Sequence, residues 1–274
     1  MTLLDGKATA QEVKDYLKKI VDSGVHRKLV IVQVGDNPAS NTYIKNKVKA
    51  CEYVGVECEV KHYKESISET ELCGHVARLN GDKSVDGVIV QLPLPAQISE
   101  GKVLSVIRSK KDVDGFTDKN IGRLVHGYSN GNIPATPLGI VKLLEKYNIE
   151  TDGKECVIVG RSNIVGKPMA LLMLDKNATV TITHSHTKNL KEVCKRADIL
   201  IVAIGKPKMI NREYVKEGAI VIDVGINRDE NGKLCGDVDF DDVKDVVSAI
   251  TPVPGGVGPM TVAMLLNNVV RGRK

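Results

Sequence analysis

Tryptophan is absent from the 274 residues and phenylalanine occurs twice. A chain so poor in rings offers few platforms on which unpaired bases could stack. Its charge suits a polyanion no better: 39 basic residues against 34 acidic ones leave +5, scattered rather than gathered into a stripe. Nucleic acid is therefore excluded as an expected partner. Long apolar runs are lacking too. The longest, residues 199–204, falls far short of a membrane span, and residues 1–7 have no apolar core of the kind a signal peptide needs. A cytoplasmic protein with no membrane partner is expected.

The six cysteines, at positions 51, 58, 73, 156, 194 and 235, form no Cys-x-x-Cys pair. That spacing argues against both a zinc site and a disulfide framework, and favours small buried apolar residues. The cluster His184-Ser185-His186 and the acidic run 237–242 are the two candidate metal-ligating clusters. A polar strand end and the acidic first turn of a helix explain them more simply, so no metal is expected.

What the sequence does contain is a repeated alternation of strand and helix. Val- and Ile-rich runs at 155–160, 179–183, 198–204 and 219–224 alternate with helical segments at 138–147, 169–174 and 190–196. That pattern predicts a doubly wound, parallel nucleotide-binding lobe. At this length a second α/β lobe is expected before it. The central stretch is the one around Gly160 and Gly166, with Pro168 opening a helix. A strand, a tight turn and a helix N-terminus together favour a phosphate, although Gly-x5-Gly is not the dinucleotide fingerprint, and an ordinary strand-to-helix turn fits the same residues. The second strand of the lobe runs into Thr183-His184-Ser185 without the carboxylate that would hold the ribose of NAD. Arg161 stands ready to meet a 2′-phosphate, so NADP is favoured and NAD is the less suitable cofactor.

In the first half, helix 8–21 and strand 29–34 lead to a helix over 38–54, which Asp36 or Asn37 can cap and Pro38 can start. Winding it at about 100° per residue puts Ile44, Val48, Cys51 and Val54 on one stripe, with Lys47 inside it and Tyr43 one turn earlier. A lysine taken out of water has an amine that can shed its proton and accept another, whereas a lysine that snorkels along its stem would fit the same spacing. A strand at 56–63 and a helix at 68–79 with a Ser68/Glu71 capping box follow. The strand in 86–91 is stopped by two prolines, which leaves Gln91 at the carboxyl end where ligands of parallel sheets bind. Asp112 and Asp114 share a turn that spacing alone cannot divide into structural and functional carboxylates. Residues 121–132, polar and glycine-rich, read as a crossing between lobes. The chain closes on a proline- and glycine-rich run, 251–261, against a helix over 262–270.

Seven runs taken together resemble the bifunctional methylenetetrahydrofolate dehydrogenase/cyclohydrolase family: residues 38–47, 90–95, 111–115, 134–137, 160–166, 223–227 and 251–261. The resemblance implies a folate-binding catalytic domain at 1–120 plus 252–274, an NADP-binding Rossmann-like domain at 121–251, a last helix that returns to the first lobe, and a homodimer joined through the nucleotide lobe. It implies hydride transfer from methylenetetrahydrofolate to NADP and hydrolysis of the resulting methenyl cation to formyltetrahydrofolate in one cleft. Lys47 would be the central catalytic amine, Gln91 would hold it, and Tyr43 would align the folate. Asp114 would anchor the pterin. Val90, Leu92, Pro254, Gly255 and Gly256 would complete the folate site. Arg161, Ser162 and Ser185 would contact the NADP phosphates, Gly160 would belong to the same cofactor site, and Ile226 would line the nicotinamide site.

Overall fold

The computed structural model describes residues 1–128 and 130–272; expectations that include residues 129, 273 and 274 lie, for those positions, outside the described residues. The chain opens with a two-residue strand, β1 (Thr2–Leu3), the helix α1 (Gly6–Asp22) and the strand β2 (Lys28–Val34). Asn37 then starts α2 (Pro38–Val54): its side-chain oxygen accepts the Ser40 N–H at 3.1 Å, and Pro38 fills a position where a missing donor costs nothing. The strand β3 (Glu57–Tyr63) follows, then α3 (Glu69–Gly81), capped by Ser68 through the Glu71 N–H at 3.2 Å, and β4 (Gly87–Val90).

Two helices, α4 (Glu100–Val106) and α5 (Asp118–Val125), come next. The second runs into the stretch 121–132 that reads as a crossing between lobes. Asp118 stands in its first turn and Leu124 is buried, so one apolar anchor and a carboxylate at the positive end of the helix outweigh Gly122. The expected alternation then unfolds through α6 (Ala135–Lys146), β5 (Glu155–Val159), α7 (Gly166–Asp175), β6 (Thr179–Thr183), α8 (Leu190–Cys194), β7 (Ile199–Val202) and β8 (Ile220–Asp223). A small hairpin of β9 (Asn227–Arg228) and β10 (Leu234–Cys235), the short helix α9 (Phe240–Val243), β11 (Ala249–Ile250) and α10 (Val257–Arg271) complete the chain.

The chain divides into two units, Met1–Ala10 with Thr136–Thr261, and Gln11–Ala135 with Val262–Lys274. In the first unit six parallel strands run in the order β1-β11-β8-β7-β5-β6. The chain winds outward from β5 to β6 on one side and from β7 to β8 on the other, which is the switch in direction that leaves a ligand crevice beyond the strand ends. β5, β7 and β8 are buried almost throughout, which is why they read as unbroken Val/Ile runs. In the second unit β3-β2-β4 form a three-stranded parallel sheet.

This division departs from the expected boundaries at three places. Residues 1–10 join the first unit because Thr2 and Leu3 pair with Ala249 and Ile250. Residues 121–135 stay with the second, where Asn132 donates to the Asp112 carbonyl at 2.8 Å. Residues 252–261 stay with the first, where Thr251 holds Asp223 N–H at 2.8 Å and Lys7 N–H donates to the Gly255 carbonyl at 2.8 Å. The last helix is shared: from Val262 on it belongs to the second unit, with Asn268 donating to the carbonyls of Val113 and Ile133 at 2.9 Å each.

Cys51, Cys156, Cys194 and Cys235 are buried thiols, and no cysteine is bonded to another. Among the described residues no group of three His, Cys, Asp or Glu is placed to hold a metal ion, and no helix is long and apolar enough to cross a membrane.

Candidate active site

The inward stripe of α2 carries Ile44, Cys51 and Val54, all buried, with half-buried Lys47 among them, while Lys45 and Lys49 point to solvent. The Lys47 amine does not snorkel away. Its Nζ donates to Gln91 Oε1 at 3.1 Å. Gln91 is fixed from its other end, because its Nε2 donates to the Leu92 carbonyl at 2.8 Å and its backbone N–H donates to the Val32 carbonyl at 2.9 Å, one step beyond β4. Turning the amide over would set its NH2 against an ammonium and its oxygen against a carbonyl, so the contacts fix which atom faces Lys47. Tyr43, one turn before Lys47, is 38% exposed; burial of its ring side pushes its phenol above the ordinary value. Among the described residues its hydroxyl makes no hydrogen bond.

The turn after Lys111 separates the two carboxylates that spacing left equivalent. Asp112 is 2% exposed and fully engaged: Oδ1 accepts the N–H groups of Gly115 at 2.8 Å and Phe116 at 3.1 Å, and Oδ2 accepts Thr117 N–H and Asn120 Nδ2, both at 2.8 Å. It builds the turn. Asp114, presented by that turn, makes no hydrogen bond among the described residues. Burial pushes its carboxyl up to about 6, against the pull of the Lys47 charge and with the repulsion of Asp112 added. A carboxylate held half out of water beside an amine, with its acceptor sites unused, is equipped to receive N–H donors from a ligand.

In the first unit β5 ends at Gly160, whose φ of +123° and whose contact with the Ala203 carbonyl both require the missing Cβ; Gly166 abuts the Gly160 carbonyl in the same way. The first N–H groups of α7 are not open to a phosphate as expected. Ser162 Oγ accepts those of Val165 at 3.1 Å and Gly166 at 3.3 Å, the Ser162 carbonyl accepts that of Lys167 at 3.0 Å, and Pro168 has none. Donors free of partners among the described residues lie earlier, in the turn itself, on Arg161 to Ile164. That turn, the exposed Arg161 guanidinium and the positive end of α7 fit a nucleotide phosphate. Beyond β6, His184 N–H donates to Thr187 Oγ1 at 2.9 Å and His186 N–H to His184 Nδ1 at 3.2 Å, which leaves Ser185 exposed at the tip. Burial, then the nearby charges of Arg161 and His186, hold the His184 imidazole below its ordinary value. A strand end without a carboxylate accepts a 2′-phosphate where an acidic one would repel it.

Lys47, Gln91 and Asp114 thus meet in the second unit, with Tyr43 on the same helix. Leu92 is half-buried there, and Val90 turns its side chain into the core, so only its main chain is left for a ligand. Gly160, Arg161, Ser162, Ser185 and Ile226 lie in the first unit, and so do Pro254, Gly255 and Gly256, which the sequence reading grouped with the folate lobe. Ile226, past the end of β8, is 45% exposed. Asp112, Asp223 and Asp237 escaped the sequence reading as organisers of these sites, since nothing in their spacing reveals hydrogen bonds made across the fold.

The catalytic-domain model of the tetrahydrofolate dehydrogenase/cyclohydrolase family matches residues 4–114, and that family's NAD(P)-binding-domain model matches residues 134–274. The bifunctional protein FolD of Agathobacter rectalis is 56% identical over 99% of this chain and 99% of its own. Among solved structures, the bifunctional FolD methylenetetrahydrofolate dehydrogenase/cyclohydrolase of Campylobacter jejuni superposes with a TM-score of 0.97 at 50% identity, covering 100% of this chain and 98% of that one. The Trypanosoma brucei methylenetetrahydrofolate dehydrogenase-cyclohydrolase, solved with NADP and an inhibitor, gives 0.94 at 34% identity, covering 100% and 97%.

Proposed function

Because this chain belongs to the tetrahydrofolate dehydrogenase/cyclohydrolase family, we propose that the second unit is its folate-binding catalytic part, that the first is its NADP-binding part, and that Lys47 is the amine on which its hydrolytic step turns. The enzyme is bifunctional. It oxidises methylenetetrahydrofolate to methenyltetrahydrofolate with NADP and hydrolyses that product to formyltetrahydrofolate.

The observation that carries the assignment of Lys47 is its 3.1 Å bond to Gln91 Oε1, on the inward face of a helix and within reach of the Asp114 charge. NADP, when bound, supplies the hydride acceptor. The chain's own part in the oxidation is to hold and orient: the turn at 161–164, Arg161 and Ser185 grip the phosphates, Ile226 lines the nicotinamide end, and Asp114 accepts hydrogen bonds from the pterin ring. Val90, Leu92, Pro254, Gly255 and Gly256 complete the proposed folate contacts. In the hydrolysis a water oxygen bonds to the methenyl carbon. As that water becomes the formyl oxygen it gives up two protons: Lys47, steadied by Gln91, relays one to the ring nitrogen as its bond to the carbon breaks, the other leaves to solvent with the cation's charge, and Tyr43 keeps the folate aligned.

Association as a homodimer is supported by the edge strand β6, where Ile182 is 40% exposed, and by Leu174 of α7, which is 61% exposed. A cytoplasmic enzyme without nucleic-acid or membrane partners fits the mild, scattered charge of the sequence. The test is direct. The parent should form NADPH from NADP and methylenetetrahydrofolate and should hydrolyse methenyltetrahydrofolate; Lys47→Met should lose the hydrolysis while keeping its affinity for NADP. Hydrolysis at the parental rate in that variant would remove Lys47 from the role.

A further inference from the structure

Two buried carboxylates beyond the ends of β7 and β8 have no part in the chemistry above. Asp223 is 3% exposed and Asp237 is completely buried. Between them they accept seven hydrogen bonds. Asp237 Oδ2 takes the N–H groups of Ile204 at 2.7 Å and Gly205 at 3.0 Å, and its Oδ1 takes Lys206 N–H and Asn227 Nδ2, both at 2.8 Å. Asp223 Oδ1 takes Gly225 N–H and Asp237 N–H at 2.9 Å each, and its Oδ2 takes Val238 N–H at 2.9 Å. Three successive N–H groups after β7 form the kind of concave donor array that binds anions, and here the protein fills it with its own carboxylate.

The two acids are interlocked through glycine. A Cβ on Gly225 would overlap the Asp237 carboxylate, and one on Gly236 would overlap that of Asp223, so each loop packs its backbone against the other's acid. Such an arrangement is costly to bury. Burial pushes the Asp223 carboxyl up to about 7 despite its three N–H donors, and the Asp237 charge adds to the rise. An acidic pair kept here against that cost is doing something the hydrophobic core alone could not.

What it holds is a three-residue span. Gly225 is tied by Asp223 and Asn227 by Asp237, and between them stands Ile226, half-exposed, with its Cδ1 near the first turn of α10 where a Cβ on Gly258 would lie 3.4 Å from it. We propose that Asp223 and Asp237 are positioning residues for hydride transfer: by holding the Gly225 backbone N–H before Ile226 and the Asn227 side-chain amide after it, they set the depth and tilt of the nicotinamide ring against the Ile226 side chain. This rests on the assignment of Ile226 to the nicotinamide end. Hydride transfer is steeply sensitive to such placement, and a displacement of about 1 Å costs up to roughly a hundredfold in rate.

Because the enzyme carries two activities, one can report on the other. Asp237→Asn puts an NH2 group among four donors, and Asn227→Ala removes one donor at a half-exposed position and leaves the backbone network in place. For both variants, kcat for NADP reduction and kcat for hydrolysis of methenyltetrahydrofolate would be measured, the latter without nucleotide, together with the KM for NADP. The expected result is a fall in dehydrogenase kcat of about tenfold or more for Asp237→Asn and about threefold for Asn227→Ala, with KM for NADP changed by less than about threefold and hydrolysis at the parental rate. Unchanged dehydrogenase kcat in both variants would overturn the proposal. So would an equal loss of both activities, since it would reduce the pair to a support of the fold. If the parent itself reduced neither NADP nor NAD, the reading beneath the proposal would fall, and the proposal with it.

Discussion

Lys47 Nζ and Gln91 Oε1 lie 3.1 Å apart, and the amide that supplies the oxygen is itself locked by the Leu92 carbonyl. The pair joins the third turn of α2 to the end of β4, so the amine's position is set by two elements of the core rather than by its own flexible stem. Gln91→Leu keeps the volume and removes the acceptor. Methenyl hydrolysis should fall by about a hundredfold, the usual worth of a placed proton-transfer group, with NADP affinity preserved. Parallel assays of hydrolysis and nucleotide binding decide it. Hydrolysis within twofold of the parent would show that Lys47 needs no partner.

Asp114 offers a prediction in pH. Its carboxyl is pushed up to about 6 in the folded chain, above the ordinary 3.8. The ionised form is the one that accepts two hydrogen bonds from a pterin, so KM for the folate should rise as pH falls through about 6, approaching a tenfold rise per unit of pH below that point. The same shift has a consequence for stability. A carboxyl whose folded value is raised prefers the folded state when neutral, so this contribution is full below about 3.8 and is lost as pH rises to about 6. Asp114→Asn should flatten the dependence of KM over this window. A profile in the variant that still bends near 6 would assign the titration to another group.

Asp112, two residues away, serves the fold and not the ligand. Its four acceptor contacts close the turn and hold Asn120, so Asp112→Ala leaves four donors in the buried turn unpaired. An expected loss of roughly 3–5 kcal/mol would appear as a lowered denaturant midpoint. Urea unfolding monitored by circular dichroism measures it. A midpoint equal to the parent's would mean that the turn closes without the carboxylate.

These two aspartates mark where the sequence stopped being legible. α2 could be read to both of its ends, and β6 likewise, because Asn37, Pro38 and the apolar stripe are local signals, and so is a Val/Thr-rich strand between polar turns. Lys47 followed from the same winding. The distinction between Asp112 and Asp114 did not, since it depends on N–H groups brought round by the turn and on Asn120 from the next helix. The unit boundaries were hidden for a related reason: β1 is two residues long, and its partner lies about 250 positions onward, at Ala249 and Ile250. By its place in the run 237–242 Asp237 belongs to an acidic first turn, yet its donors come from residues 204–206 and Asn227. Periodicity reports what a residue's own element does, and these residues act on other elements.

Arg161 and Ser162 are neighbours in sequence with separable tasks. Arg161 is exposed, lies close enough to His184 for its charge to act on that imidazole, and ties no backbone among the described residues. Ser162 fastens Val165 and Gly166 to the turn through its hydroxyl. If the guanidinium meets the 2′-phosphate, Arg161→Ala should weaken NADP by about 1.5–3 kcal/mol, a factor of roughly 10 to 150, and leave NAD within about twofold. Ser162→Ala should instead weaken both nucleotides together, because the loosened turn serves the pyrophosphate they share. Fluorescence titration of each variant with NADPH and NADH separates the two outcomes. Equal loss of both nucleotides in Arg161→Ala would move that side chain from the 2′-phosphate to the pyrophosphate, and the preference for NADP would then have to be sought at His184, Ser185 and His186.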